Sequence, residues 1–374
     1  MGVYYFILFF ILINGVTAKK HRMWYVTSTF FVIFLFAALR KYTIGIDLEL
    51  HYARNFERIA ILPWSEVPSF IAYDPGFNVL CKLISYISTD RQTFIVITSL
   101  IVFGSVGRYI YINGKDVVLE TFMFLVSFCY MMYMNIIAQA VAMAIFLFAL
   151  EFLKEKKYIK YILAALLASS MHASAIILLL MIPLSFLKVD RKNVLRFTVI
   201  LLFVLFAYNQ VFDIFATIIP EFGRYLEAGN VHGQSTRLGI FALSLILIYA
   251  GCFAASIIFI YTSKTSLEKD YFISNRKGKA IKQISTNLLA YGTLIVVWSR
   301  LASLQIAVSI RVGYYFCPLA FSLLSRAIDE YRDVRMRFIL KAIIYVILIV
   351  FFCWSAPTFG ANNYGGVPYM FYWN

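Results

Sequence analysis

Apolar residues in this chain come as long runs rather than as the i, i+3, i+4 stripes of helices that face water on one side. Trp24–Leu39, Val117–Met134, Phe197–Ile219, Leu238–Tyr261 and Phe338–Trp354 are apolar over most of their length. A helix crossing the hydrocarbon core of a bilayer needs about 20 such residues. Short polar breaks separate the runs, and most of them carry lysine or arginine. The pattern predicts an all-α polytopic membrane protein with about 12 transmembrane helices (11–14), forming one membrane domain over residues 1–374. No stretch is left for a sizeable soluble domain.

The sign of the breaks sets a topology. Lys19–Arg22, Lys115, Lys154–Lys160, Lys188–Arg196, Lys264–Lys282 and Arg326–Lys341 hold 23 of the 34 lysines and arginines. Short cytoplasmic loops concentrate these residues, so all six belong in the cytoplasm, the loop 264–282 among them. Each intervening segment then crosses an even number of times, with outer turns at Met134–Ile137, Met171–Ser174, 220–236 and Leu301–Gln305. Residues 75–88 are too few to span comfortably. Placed on the outer surface, they leave 40–74 as an extracytoplasmic loop and keep every later loop consistent with its charge. The first apolar run is followed, not preceded, by basic residues, so it reads as an uncleaved helix rather than a signal peptide.

Composition narrows the function. The chain is 62% hydrophobic and 14% charged, against about half and about a quarter in soluble domains. The net charge of +15 sits in short loops, which points to membrane sorting and anionic membrane lipids rather than to nucleic acid. The five cysteines are scattered without a CxxC pair, and the four histidines form no Cys/His cluster. Neither a disulfide framework, a metal centre nor a cofactor is expected.

Scarce polar chemistry gathers on the predicted outer side, around an outward-facing cavity. "LRKYTIGIDLELHYARNFERI" (39–59) alone holds Asp47, Glu49, His51, Arg54 and Arg58. On an extended segment Asp47, Glu49 and His51 would share a side; on a helix Arg54 and Arg58 would share a face. A carboxylate or an imidazole near a sugar hydroxyl can act as general base, and arginine binds phosphate oxygens through a planar fork. Against this stand a plain solvated loop, pairing of the arginines with Glu57, and a structural role for His172. Arg311 needs an anionic partner because buried cations in membranes are costly; that partner is either Asp213 or a ligand phosphate. Arg224, Arg237 and Arg300 border the outer turns.

Three blocks, in order, resemble the EpsG family of Wzy-like polysaccharide polymerases: "YTIGIDLELHYARNF", "MNIIAQAVAMAIFLFALEFLKEKKYIKYILAALLASSMHASAIILL", and "IRVGYYF" with the later "PYMF". The resemblance implies glycosyl transfer at the outer face of a bacterial inner membrane. The donor would be a growing glycan on undecaprenyl pyrophosphate, and the acceptor a hydroxyl of an incoming lipid-linked repeat. Polyprenyl pyrophosphate would leave without metal or cofactor, and a chain-length regulator protein is a candidate partner. In this reading Asp47 or His172 is the acceptor base, and Arg54, Arg58 and Arg311 hold pyrophosphate, with Arg224, Arg237 and Arg300 as further phosphate contacts. Tyr52, Tyr314 and Tyr315 would stack on sugars, while Asn135 and Gln139 orient hydroxyls. One position departs from the family pattern: Ala138 stands where an arginine is expected. Either another arginine compensates, or the alanine marks an inactivated variant. A flippase for the same lipid and an O-antigen ligase are the alternative functions.

Overall fold

In the computed structural model the described residues are 1–207, 240–262, 271–274, 280–305, 307–331, 333–362 and 365–374, with 210, 214 and 217 as isolated positions. They pack as two compact units. The first comprises Met1–Ile182, Phe272–Ile284 and Phe338–Asn374; the second comprises Pro183–Tyr271 and Ser285–Arg337.

The first unit begins with α1 (Gly2–Asn14), α2 (Arg22–Ala38), a π turn at Leu48–Tyr52, α3 (Ala53–Ile61), α4 (Pro75–Ser85) and α5 (Arg91–Asn113). It continues with α6 (Val117–Val126), α7 (Cys129–Asn135), α8 (Ile137–Lys154), α9 (Tyr158–Met171) and a 3-10 stretch, Ala173–Leu180, leading into α10 (Met181–Phe186). A two-stranded antiparallel ribbon, β1 (Phe272–Ser274) and β2 (Ala280–Lys282), pairs Phe272 with Lys282.

Side-chain caps fix several helix starts. Asp116 accepts from the N–H groups of Val118 and Leu119, both at 3.1 Å, and Asp90 from that of Gln92; each satisfies N–H groups that the first turn leaves unpaired. Phe128, with φ 65°, ends α6 in the left-handed region, and the chain bends 59° into α7.

Helix directions in this unit follow from its contacts. Arg22 at the start of α2 donates to the carbonyls of Tyr111 and Gly114, while Gln92 at the start of α5 donates to that of Ala38. The two helices are therefore antiparallel. Arg108 of α5 faces Glu151 of α8 at 3.9 Å, Lys154 donates to the carbonyl of Lys282, and Lys341 pairs with Asp116 at 2.6 Å. One end of the unit thus collects basic loops. The other collects residues 40–74, the α7–α8 break, the α9 turn and the C-terminal tail.

The second unit contains α11 (Arg191–Phe206), α12 (Ile240–Thr262), α13 (Thr286–Ala302), a 3-10 turn at Ala307–Ser309, α14 (Ile310–Tyr314) and α15 (Cys317–Asp329). Here α12 and α13 pack on α15, with Tyr249 stacked on Phe321. The last helix, α16 (Val334–Asn362), runs on into the first unit.

The fold is helical almost throughout, as the runs predict, and the described residues account for part of the twelve expected spans. Among the described residues four helices are long and apolar enough to cross a membrane: Arg91–Asn113, Ile137–Lys154, Ile240–Ile258 and Val334–Gly360. Counting the bent pairs α6–α7 and Ala307–Tyr314 with α15 as one span each makes six. Other apolar runs fold as helices of 10–17 residues, such as α2 and α9. At 1.5 Å per residue these measure about 26 Å at most, short of the roughly 30 Å hydrocarbon core. Much of the run Phe197–Ile219 lies outside the described residues.

Candidate active site

At the end of the first unit opposite its basic loops, five segments meet. The sequence "YDPG" (73–76) starts α4: Asp74 is extended, and Pro75 occupies the first turn, where its missing N–H costs nothing. Gly76 lies so close to α9 that an added Cβ would come 2.8 Å from the carbonyl oxygen of Ser170. That approach brings Asp74 to the end of α9. Its Oδ2 accepts the N–H of Ala173 at 3.1 Å and stands 3.4 Å from Nδ1 of His172. His172 leaves the helix in an extended conformation, and its ring and the Asp74 carboxylate are each 21% exposed. A carboxylate on Nδ1 fixes the tautomer that leaves Nε2 as a proton acceptor. The aspartate partner of His172 is therefore Asp74.

Asp47 lies on the same wall. The extended conformation that would align Asp47, Glu49 and His51 is not adopted: a π turn follows Asp47, and Glu49 and His51 are exposed. Gly45, at φ 114°, permits a close approach to Asn135 and Met134, and the Asp47 N–H donates to Oδ1 of Asn135 at 2.9 Å. Tyr52 at the end of the turn accepts the N–H of Ala138 at 3.2 Å. Its ring stacks on Tyr73 at 5.1 Å and 15°. Burial pushes the Tyr73 hydroxyl above the ordinary phenol range, and the Tyr52 hydroxyl and Asp47 carboxylate push it the same way. Asp47 with Asn135, Tyr52 with Tyr73, and Asp74 with His172 thus form three contacts on adjoining segments.

Beneath it, Arg40 is 1% exposed and donates to the carbonyl of Met134 at 3.1 Å and to Ser99 at 3.2 Å. This pins the break from which Asn135 projects. Asn135 and Gln139, expected at sugar hydroxyls, are buried; Asn135 instead holds the backbone at Asp47. Arg54 and Arg58 lie on the exposed face of α3, four residues apart, opposite buried Phe56 and Ile59. Neither arginine pairs with Glu57, which binds Arg91 at 2.5 and 2.7 Å.

In the second unit, Gly313 lets α14 approach α13 so closely that an added Cβ would stand 2.1 Å from Oγ of Ser299. Arg311 is half-buried on that short helix. Arg300 is buried between two rings, 5.3 Å from Tyr249 and 5.0 Å from Tyr314. Tyr314 and Tyr315 are 2% and 0% exposed, so their faces are packed against protein instead of lying open to a sugar. Arg224, Arg237 and Asp213 lie outside the described residues. No cluster of histidine, cysteine and carboxylate able to hold a metal occurs among the described residues.

The model of the EpsG family matches residues 23–371, nearly the whole chain. The chain belongs to the EpsG family. EpsG is a Wzy-like polymerase family, and this member accordingly has the coarse character of a membrane polysaccharide polymerase. No curated protein and no solved structure matches it.

In this EpsG chain the residue that sequence reasoning missed is Asp74. An Asp-Pro-Gly tripeptide ahead of an apolar stretch marks a helix start, and that signal was legible. Its pairing with a histidine 98 residues later was not. The altered family position, Ala138, sits at the first turn of α8 and is 4% exposed, with its N–H taken by Tyr52.

Proposed function

We propose that this protein joins polyprenyl-pyrophosphate-linked oligosaccharide repeats by glycosyl transfer at the outer face of a bacterial plasma membrane. The observation that carries the reading is the His172–Asp74 pair, whose chain neighbour Tyr73 stacks on Tyr52, in a chain of the EpsG family. His172 Nε2 takes the proton of the acceptor hydroxyl as that oxygen bonds to the anomeric carbon of the donor. The bond from that carbon to pyrophosphate breaks, and polyprenyl pyrophosphate leaves with the electron pair. Asp74 is a positioning residue, holding the imidazole and stabilising the imidazolium that forms. Asp47 orients the acceptor sugar. Arg54 and Arg58, exposed and four apart, bind the pyrophosphate, whose charge grows as the bond breaks. The side of the membrane is supported by the basic loops at the opposite end of the same unit.

The test is His172→Ala and Asp74→Asn, with glycan ladders read from cells. Both variants should insert in the membrane normally, His172→Ala yielding single repeats and Asp74→Asn much shorter ladders. A general base of this kind contributes about 10²–10⁴-fold in rate. Ladders of ordinary length from both variants would overturn the assignment. We assign the lost family cation at Ala138 to compensation by Arg54 and Arg58, because the alanine is buried behind Tyr52. Ala138→Arg should then bring no gain in polymer, whereas a clear gain would mean that the alanine inactivates the enzyme.

A further inference from the structure

A groove of about 470 Å³ runs between α2 and α5 of the first unit, away from the site just described. Phe30, Phe31, Phe34 and Leu100 line it, and it reaches Arg108 and Tyr111 at the basic end. Gly104 is its bare floor: a Cβ built there meets nothing within 4 Å. Along α2 the lining runs from Met23 to Phe34, about 16 Å at 1.5 Å per residue. That is half of the roughly 30 Å hydrocarbon core, the depth of one leaflet.

At the mouth of the groove, Arg108 is incompletely balanced. Arg108 stacks on Phe148 at 4.5 Å, and Oε1 of Glu151 lies 3.9 Å away. The other oxygen of Glu151 binds Lys154 at 2.7 Å, so two cations share one carboxylate. Arg22, at the same end, is held by backbone carbonyls of Ile110, Tyr111 and Gly114. The carboxylates of Glu120 and Asp116 act on Arg22 as well, so the cation left short of charge is Arg108.

We infer that this groove is a binding site for one anionic phospholipid, with an acyl chain between α2 and α5 and the headgroup phosphate on Arg108. The apolar walls fit a hydrocarbon chain, the single-leaflet length fits one lipid, and the unbalanced guanidinium fits a phosphate. A docked helix from a second protein would run on beyond mid-bilayer, where the groove stops. Nothing in this site depends on the reaction proposed above.

The experiment is native mass spectrometry of the purified full chain in detergent, with phosphatidylglycerol or phosphatidylcholine added. Wild type should retain one phosphatidylglycerol at several-fold higher occupancy than phosphatidylcholine. Gly104→Leu, which fills open space, should lower occupancy of both lipids several-fold, while Gly104→Ala should not. Arg108→Gln should equalise the two lipids. A melting temperature raised by phosphatidylglycerol in wild type, but not in Gly104→Leu, would support the same conclusion. Equal retention of both lipids by wild type overturns the proposal, as does retention indifferent to both Gly104→Leu and Arg108→Gln. A dimer that Gly104→Leu dissociates would also overturn it, assigning the groove to a second copy of the chain.

Discussion

Gly76→Ala adds one methyl group at the contact that sets the His172–Asp74 pair. Its Cβ would lie 2.3 Å from Oγ of Ser170, 2.8 Å from Cβ and 2.8 Å from the carbonyl oxygen. The hydroxyl can rotate away, but the carbonyl is fixed in the last turn of α9. Ordinary contact begins at 3.4 Å, so α4 must retreat by about 0.6 Å, the difference between 3.4 and 2.8 Å. Asp74, two residues earlier, moves with it. Its distances of 3.1 Å to the Ala173 N–H and 3.4 Å to Nδ1 of His172 would open to about 3.7 and 4.0 Å, breaking the hydrogen bond and weakening the ion pair. Overpacking of this kind costs about 1–3 kcal/mol in stability, and a misplacement near 1 Å can cost about 10²-fold in rate. Glycan ladder length in cells, alongside the melting temperature of the purified protein, measures both effects. Ser170→Gly in the same chain removes two of the three clashes and should restore part of the ladder. A wild-type ladder from Gly76→Ala alone would refute the claim that the α4–α9 approach sets the pair.

Arg54→Ala and Arg58→Ala should each weaken use of lipid-linked repeats by about 10-fold or more, since a charge-assisted hydrogen bond contributes about 1.5–3 kcal/mol. The effect should appear in the apparent KM for the lipid substrate, and unchanged values for the double variant would remove these residues from pyrophosphate binding. Acid should slightly loosen the hold of α3 on the start of α5. The hydrogen bond from Arg91 holds the Glu57 carboxyl below the usual carboxylate range. A depressed folded pKa stabilises above the unfolded value and is lost as pH falls through the folded one. Because Glu57 is 44% exposed, the contribution is under about 1 kcal/mol. Melting at pH 6 and at pH 3 should show a small acid-sensitive increment that Glu57→Gln lacks; an identical pH response in both proteins would refute the contact.

Much of the fold was legible because apolar runs and basic breaks report directly on membrane residence. The hairpin around His172 could be read from its small-residue turn, and the shortness of α4 from the brevity of the segment 75–88. Helix breaks were less visible. The bend after α6 occurs at Ser127–Phe128 with neither glycine nor proline to announce it, and the 3-10 stretch Ala173–Leu180 looks like ordinary helix by composition. Among the described residues these interruptions break apolar runs into bent or short helices. The site was half legible. His172 stood out as a polar residue in apolar surroundings, and Asp47 and Tyr52 as members of a charge-rich segment in an apolar chain. The role of Asn135 as a backbone clamp, and of Asp74 as the partner of His172, depends on approaches between distant segments that no local pattern encodes.

The tail of the chain has a temporal implication. Gly45 donates to the carbonyl of Gly365, Lys41 to that of Met370, and Tyr372 to that of Leu39; Tyr369 bonds to the carbonyl of Phe36, 333 positions away. These partners follow residues 36–45 by more than 300 positions, so a ribosome delivers them long after the segment they hold. The segment bearing Asp47 can meet Met134 and Asn135 early, but its fastening to residues 365–372 waits until most of the polypeptide has been made.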